Sequence, residues 1–222
     1  MNSESRTGRI IGALLIVQLA GLIVPFVMLM PITARPPENV TNAAVISSQL
    51  KLAVFLLFAN CCLTIGISAL VSRVIRQFGT TLPILLGATS LIMFTTQAVD
   101  NVQIMAMMSL GRHFADVGGD EALRTAAAVV GSIRRWSHFS AIVAIDGWMF
   151  VFYVCLYRFR IVPRGLPVFG LLTVVLHFTG IVVPLWFEVP GIVPMGAAMG
   201  VGHVWTGLWL VIKGFQKRGR ND

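Results

Sequence analysis

Six long apolar stretches occupy most of this 222-residue chain. Each supplies about 20 residues with few charges, which is the length that a helix needs to cross ~30 Å of hydrocarbon. Because backbone polar groups inside a bilayer must be satisfied within their own segment, the stretches are predicted to be helices. The predicted spans cover residues of about 10–30, 52–71, 82–99, 139–157, 166–187 and 192–212. The sequence therefore predicts an all-α, polytopic membrane protein with a six-helix transmembrane bundle.

The composition favours a single transmembrane domain over residues 1–222. Charged residues make up only 12% of the chain, whereas soluble domains have about 25%. The 17 Lys and Arg residues exceed the 9 acidic ones, but they flank the spans, where anionic lipid head groups lie. We therefore expect the lipid bilayer as the partner, with anionic lipids at the cytoplasmic face. Nucleic acid is not expected, because no basic domain is present to bind it.

The distribution of basic residues predicts the orientation of the chain. If the spans alternate, eleven basic residues lie on the side of both termini and six lie on the other side. The eleven are Arg6, Arg9, Arg73, Arg76, Arg158, Arg160, Arg164, Lys213, Lys217, Arg218 and Arg220. The six are Arg35, Lys51, Arg112, Arg124, Arg134 and Arg135. The positive-inside rule then places both termini in the cytoplasm.

The segment between the third and fourth spans is the only long extramembrane segment in this prediction. Asp120 is placed to cap a helix, and apolar residues recur behind it at helical spacing. These are Leu123, Ala126, Ala127, Val130 and Ile133, with Arg124, Arg134 and Arg135 elsewhere on the helical wheel. The pattern predicts a short amphipathic helix over 121–136 at the outer membrane surface. The alternative is that the fourth span begins early and projects from the bilayer.

Polar residues inside or at the ends of the spans are the candidate functional residues. An ionisable side chain at mid-membrane costs about 2.5–3.5 kcal/mol on insertion scales, so each one calls for a partner or a function. Three of them on the third span share a helix face at i, i+3 and i+4. The candidates are Gln97, Asp100, Asn101, His138, Asp146, His177 and His203.

Three interpretations of this set remain open. The residues could form interhelical hydrogen bonds that only hold the bundle together. They could line a pocket for a small or lipid-like molecule. They could also perform acid–base chemistry with Asp100, Asp146 and His138. A metal or haem held by His177 and His203 is the least favoured alternative, because isolated histidines are more often packed than ligating. No metal site is therefore predicted, and the sequence identifies neither a catalytic residue nor a cofactor.

Small residues at the start of the sixth span indicate close helix packing. Gly196 and Gly200 form a small-xxx-small pattern, which lets a second backbone approach closely. This pattern fits packing inside the monomer, and the alternative is a homo-oligomer contact through the same two glycines.

Two stretches carry a resemblance to a known family. They are YRFRIVPRGL at 157–166 and LWLVIKG at 208–214. They resemble a large bacterial family of multi-spanning membrane proteins of unknown function, with a Leu-Pro-Arg turn and a Leu-Trp-Leu-Leu-x-Lys-Gly helix end. The resemblance implies a multi-pass protein of the bacterial inner membrane and brings no activity with it. Many members have Gly-Glu where this chain has Gly202 and His203.

The function favoured by these observations is binding of a small or lipid-like molecule at an intramembrane polar pocket, for sensing, protection or transport. The first alternative is a membrane-embedded enzyme that uses buried Asp and His residues. The second is a structural or assembly protein. The two halves of the chain show no matching broken helices, the pattern typical of alternating-access transporters.

Overall fold

The computed structural model of the chain describes residues 3–118 and 120–216, and these residues form helices and turns without a strand. Six of the helical segments are long and apolar enough to cross a membrane, which confirms the predicted all-α class and the six spans. The helices are α1 (Ser3–Leu29), α2 (Glu38–Val45), α3 (Ser47–Ile75), α4 (Thr81–Val117), α5 (Glu121–Phe159), α6 (Gly165–His177), α7 (Val183–Trp186) and α8 (Val193–Lys213). The chain is thus a multi-pass membrane protein. The basic residues Lys217, Arg218 and Arg220 lie outside the described residues, and the orientation of the termini stays a prediction.

Helices α4 and α5 are much longer than the spans predicted for them. They contain 37 and 39 residues, which corresponds to ~55 and ~58 Å at 1.5 Å per residue. Each helix therefore extends well past the ~30 Å of a hydrocarbon core. Asp100 directly follows the predicted span 82–99, and His138 directly precedes the predicted span 139–157. Both residues are thus expected near the level where the hydrocarbon gives way to head groups.

The separate amphipathic helix over 121–136 is corrected by the structure. The segment is helical and Asp120 caps it, with Leu123 N–H donating to Oδ1 at 2.8 Å, but the segment continues into the fourth span as one helix. No proline lies between 121 and 159 to end the helix. The buried face also differs from the prediction, because Ile133 is 47% exposed whereas Arg134 is only 8% exposed. The alternative, an early start of the fourth span, is confirmed.

A π-helical segment, Phe178–Val182, joins α6 to α7 within the predicted span 166–187. Pro184 has no N–H to donate to the carbonyl of Gly180 four residues earlier. That carbonyl instead accepts a hydrogen bond from the N–H of Ile192 at 2.7 Å. The proline thus leaves a carbonyl free to bind the turn that leads to α8, and this bond ties the end of the span to that turn.

The chain divides into two compact units, and α1, α3, α4 and α5 each contribute residues to both. In the first unit, residues 3–19, 62–93 and 142–216, glycines bring helices close together. A Cβ on Gly12 would lie 2.6 Å from the backbone nitrogen of Val211, and one on Gly207 would lie 2.7 Å from the Ile16 side chain. Trp148 stacks on Phe152 at 5.4 Å between ring centroids. This unit therefore packs α8 tightly against the start of α1.

The two glycines singled out in α8 differ in their surroundings. A Cβ on Gly196 would lie 2.8 Å from the side chain of Ile181, whereas a Cβ on Gly200 would have no neighbour within 4 Å. Gly196 thus packs inside the first unit. A homo-oligomer contact through these residues stays a prediction.

The second unit comprises residues 20–61 and 94–141, and its core is apolar. The buried core residues are Leu29, Ile32, Val40, Ala43, Leu50, Ala53, Leu57, Ile104, Met107, Met108 and Ala127. Helix α2, which the sequence did not predict, lies against α4 where a Cβ on Gly111 would clash with the carbonyl of Val40. A Cβ on Gly131 of α5 would likewise lie 2.7 Å from the side-chain amide of Asn39. The absence of side chains at Gly111 and Gly131 thus lets α2 lie close to both α4 and α5.

Candidate functional site

A group of polar side chains from α4 and α5 lies inside the second unit. We call it the Asp100 cluster, and its members are Gln97, Asp100, Asn101, Arg134, Ser137 and His138. The members on α4 and those on α5 each fall at helical spacing of i, i+3 and i+4, so each set occupies one face of its helix. The periodicity places each set on one face of its helix, and the contacts of Asp100 with Ser137 and His138 bring the two faces together.

The carboxylate of Asp100 is the centre of this cluster. Its residue is 1% exposed. Oδ1 accepts a hydrogen bond from the hydroxyl of Ser137 at 3.1 Å, and Oδ2 lies 3.2 Å from Nδ1 of His138. Each carboxylate oxygen therefore faces a polar group on α5, and the Ser137 hydroxyl, which has one hydrogen to donate, also lies 2.9 Å from the carbonyl of Arg134.

His138 is the most open member of the cluster. Its side chain is 38% exposed, although its Nδ1 contacts a carboxylate that is almost fully buried. A neutral imidazole with a hydrogen on Nδ1 leaves Nε2 as a hydrogen-bond acceptor. The carboxylate therefore orients the ring so that a basic nitrogen is left for another group.

Arg134 belongs to the cluster and was not among the residues selected from the sequence. Only 8% of it is exposed, and its Nε has no hydrogen-bond partner in the described part of the chain. It interacts electrostatically with Asp100. Arg134 shares the i, i+3 and i+4 spacing with Ser137 and His138, and this spacing is the sequence signal for its membership. The prediction of a surface helix instead places its side chain in water.

The two amides of the cluster pair with each other along α4. Nε2 of Gln97 donates to Oδ1 of Asn101 at 3.1 Å, and both residues are at most 6% exposed. This bond satisfies one donor and one acceptor and holds both amides on the face that carries Asp100.

Asp146 and His177 form a second pair, which lies in the first unit. Nδ1 of His177 is 2.8 Å from one carboxylate oxygen of Asp146 and 3.1 Å from the other. The side chain of Asp146 is 4% exposed and that of His177 is 13% exposed. Asp146 thus faces the interior of the first unit and contacts a second helix, α6. His177 is the last residue of α6, directly before the π-helical segment.

His203 joins neither pair. Its Nε2 lies 3.0 Å from the backbone carbonyl of Leu15, to which it donates, and it is 6% exposed. Close by in sequence, the hydroxyl of Thr206 donates to the carbonyl of Gly202 and lies 3.4 Å from the hydroxyl of Tyr153. The contact of His203 links α8 to α1 through the backbone and leaves the ring little room for a ligand.

The seven predicted residues thus occupy three places: the Asp100 cluster, the Asp146–His177 pair and the His203 contact. Within residues 3–118 and 120–216, no group of three or more His, Cys, Asp or Glu residues is arranged to hold a metal ion. The polar groups that remain suit hydrogen bonding and proton transfer.

The chain belongs to the family DUF4386, a domain of unknown function, whose model matches residues 10–214. This match covers nearly the whole chain and confirms the resemblance to a family of multi-spanning membrane proteins of unknown function. No curated protein and no solved structure matches the chain.

Proposed function

We propose that this member of the DUF4386 family binds a small or lipid-like molecule at the Asp100 cluster, for sensing, protection or transport. The observation that supports the proposal is the half-open imidazole of His138, held by the buried carboxylate of Asp100 at 3.2 Å. Binding sites commonly combine an apolar surround with a few oriented polar groups. The cluster offers that combination at the point where two long helices leave the predicted spans.

The position along α4 and α5 favours a lipid-like molecule or one that enters from the membrane surface. Asp100 and His138 adjoin the predicted spans 82–99 and 139–157, so they would lie near the head groups. In the bacterial inner membrane, with both termini in the cytoplasm, this level is at the outer face. The exposed part of His138 would then be reached from outside the cell or from the outer leaflet.

A purely structural role accounts less well for the exposed ring. Interhelical hydrogen bonds in membrane proteins contribute only ~0.6 kcal/mol on average. An interhelical hydrogen bond with only a structural role does not require an imidazole whose second nitrogen stays available to another group. His203 shows the structural use of the same residue type, because its ring is buried and donates to a backbone carbonyl.

The test compares two histidine variants of the purified protein by native mass spectrometry. We expect wild-type protein and the control variant His203→Gln to retain a copurifying molecule, and His138→Gln to lose it. Gln at position 138 preserves a neutral donor and acceptor, so the melting temperature should change little. The proposal would be overturned if wild-type protein carried no bound molecule, or if His138→Gln retained it to the same extent.

A second candidate function is acid–base catalysis at the same cluster. The geometry that favours it is the contact of Nδ1 of His138 with Asp100, because a carboxylate in that position orients an imidazole whose Nε2 then acts as a general base. Incubation of the protein with the copurified molecule would separate the two functions. A change in the mass of that molecule, lost in His138→Gln, would indicate catalysis, and an unchanged mass would indicate binding alone.

A further inference from the structure

The guanidinium of Arg134 is a buried cationic group of the second unit. A guanidinium carries five N–H donors and stays charged. Arg134 is 8% exposed, and its Nε has no acceptor in the described residues. Buried donors in folded proteins nearly always have a partner, and those without one often face an ion, a water or a ligand.

Asp100 balances part of this charge but does not satisfy the donor. Its carboxylate interacts electrostatically with Arg134. Its two oxygens instead lie within 3.2 Å of the hydroxyl of Ser137 and of Nδ1 of His138. The cluster therefore contains one cation, one anion and one imidazole.

We infer that Arg134 binds an anionic oxygen group, a phosphate or a carboxylate, of the molecule that occupies the Asp100 cluster. The planar fork of a guanidinium matches such groups in two parallel hydrogen bonds, which a water cannot reproduce. The exposed side of His138 provides a second donor beside the arginine when the ring is protonated. This inference rests on the proposed function, because it names the chemistry of the same bound molecule.

The anionic group can come from either of two sources, and the position of the cluster is compatible with both. One is the phosphate of a phospholipid, since Arg134 lies one turn before the start of the predicted span 139–157. The other is a soluble anion that enters from the water beside the protruding parts of α4 and α5. The chemistry at Arg134 is the same in both.

The experiment measures melting temperature and bound mass for protein purified in detergent, with separate additions of inorganic phosphate, phosphatidylglycerol and diacylglycerol, which lacks phosphate. The variants are Arg134→Gln and, as the matched control, Arg124→Gln, which removes an exposed arginine from the same helix. We expect phosphate or phosphatidylglycerol to stabilise wild-type protein and Arg124→Gln. Arg134→Gln should bind the same anion about 10- to 100-fold more weakly, as expected for loss of charge-assisted hydrogen bonds.

The outcomes distinguish the source of the anion. Stabilisation by phosphatidylglycerol alone would indicate a lipid head group, and stabilisation by inorganic phosphate would indicate a soluble anion. Equal effects of phosphatidylglycerol and diacylglycerol, with no effect of phosphate, would overturn the inference. An equal loss of binding in Arg134→Gln and Arg124→Gln would also overturn it.

Two further measurements keep the inference falsifiable. If Arg134→Gln does not fold, Arg134→Lys retains the charge without the fork and should bind the anion with intermediate affinity. Wild-type protein that neither carries an anionic molecule nor gains stability from phosphate or phosphatidylglycerol would contradict the inference without any variant. If Arg134→Gln retains the copurifying molecule that His138→Gln loses, the proposed function stands and the role of Arg134 is wrong.

Discussion

Replacement of Asp100 by alanine should destabilise the protein through a charge left alone inside the second unit. The carboxylate is 1% exposed and accepts from Ser137 and His138. Its loss also leaves the buried Arg134 without its counter-charge. Hydrogen bonds to a charged group contribute about 1.5–3 kcal/mol each, and the carboxylate has two such contacts. Because His138 is partly open to solvent, some of this cost is relieved by hydration, and we expect a loss of about 3 kcal/mol in the free energy of unfolding.

The assay is reversible unfolding in mixed micelles with increasing denaturing detergent, with Asp116→Ala as the matched control. Asp116 lies on the same helix and is exposed, so its replacement should change stability by less than about 0.5 kcal/mol. A double variant, Asp100→Ala with Arg134→Leu, removes both charges and should be more stable than the sum of the two single effects predicts. Strict additivity, or equal losses in the Asp100 and Asp116 variants, would refute the reasoning.

The other predictions concern packing and topology. His203→Gln should lose only ~0.6 kcal/mol, because the amide still donates to the carbonyl on α1; a loss of bound molecule in that variant, measured by native mass spectrometry, would show that the histidine belongs to the site. Gly207→Val should lower the melting temperature strongly because its side chain would meet α1, whereas Gly200→Val should not, since a Cβ there has open space; similar melting temperatures would contradict the packing. Single cysteines near Arg218 should be labelled from the cytoplasm and those near Gly119 from outside, and labelling of both from one side would contradict the topology.

The sequence predicted the spans because apolar length is a direct requirement of the bilayer. It did not predict how far the helices extend. Beyond residue 99 and before residue 139 the chain is more polar, and the apolar pattern that marks a span ends although the helix does not. Helix α2 is only eight residues long, and its position depends on contacts with α4 and α5 that no local pattern encodes.

The site was predicted in its residue types but not in its pairing. Asp100 and Asp146 were predicted to require a partner because a carboxylate in the membrane is costly. Each has a histidine within 3.2 Å. Which histidine belongs to which carboxylate depends on the packing of separate helices. Arg134 was missed because its burial depends on tertiary packing: the segment that carries it contacts α2 at Gly131, and taken alone that segment resembles a surface helix.

The most direct test of the central claim is an experimental map of the protein in lipid nanodiscs. We predict non-protein density within hydrogen-bond distance of Nε2 of His138 or the guanidinium of Arg134, continuous over more atoms than a single water. The same density should be absent from a map of His138→Gln. A wild-type map in which protein side chains or isolated waters satisfy both groups would contradict the proposed binding site.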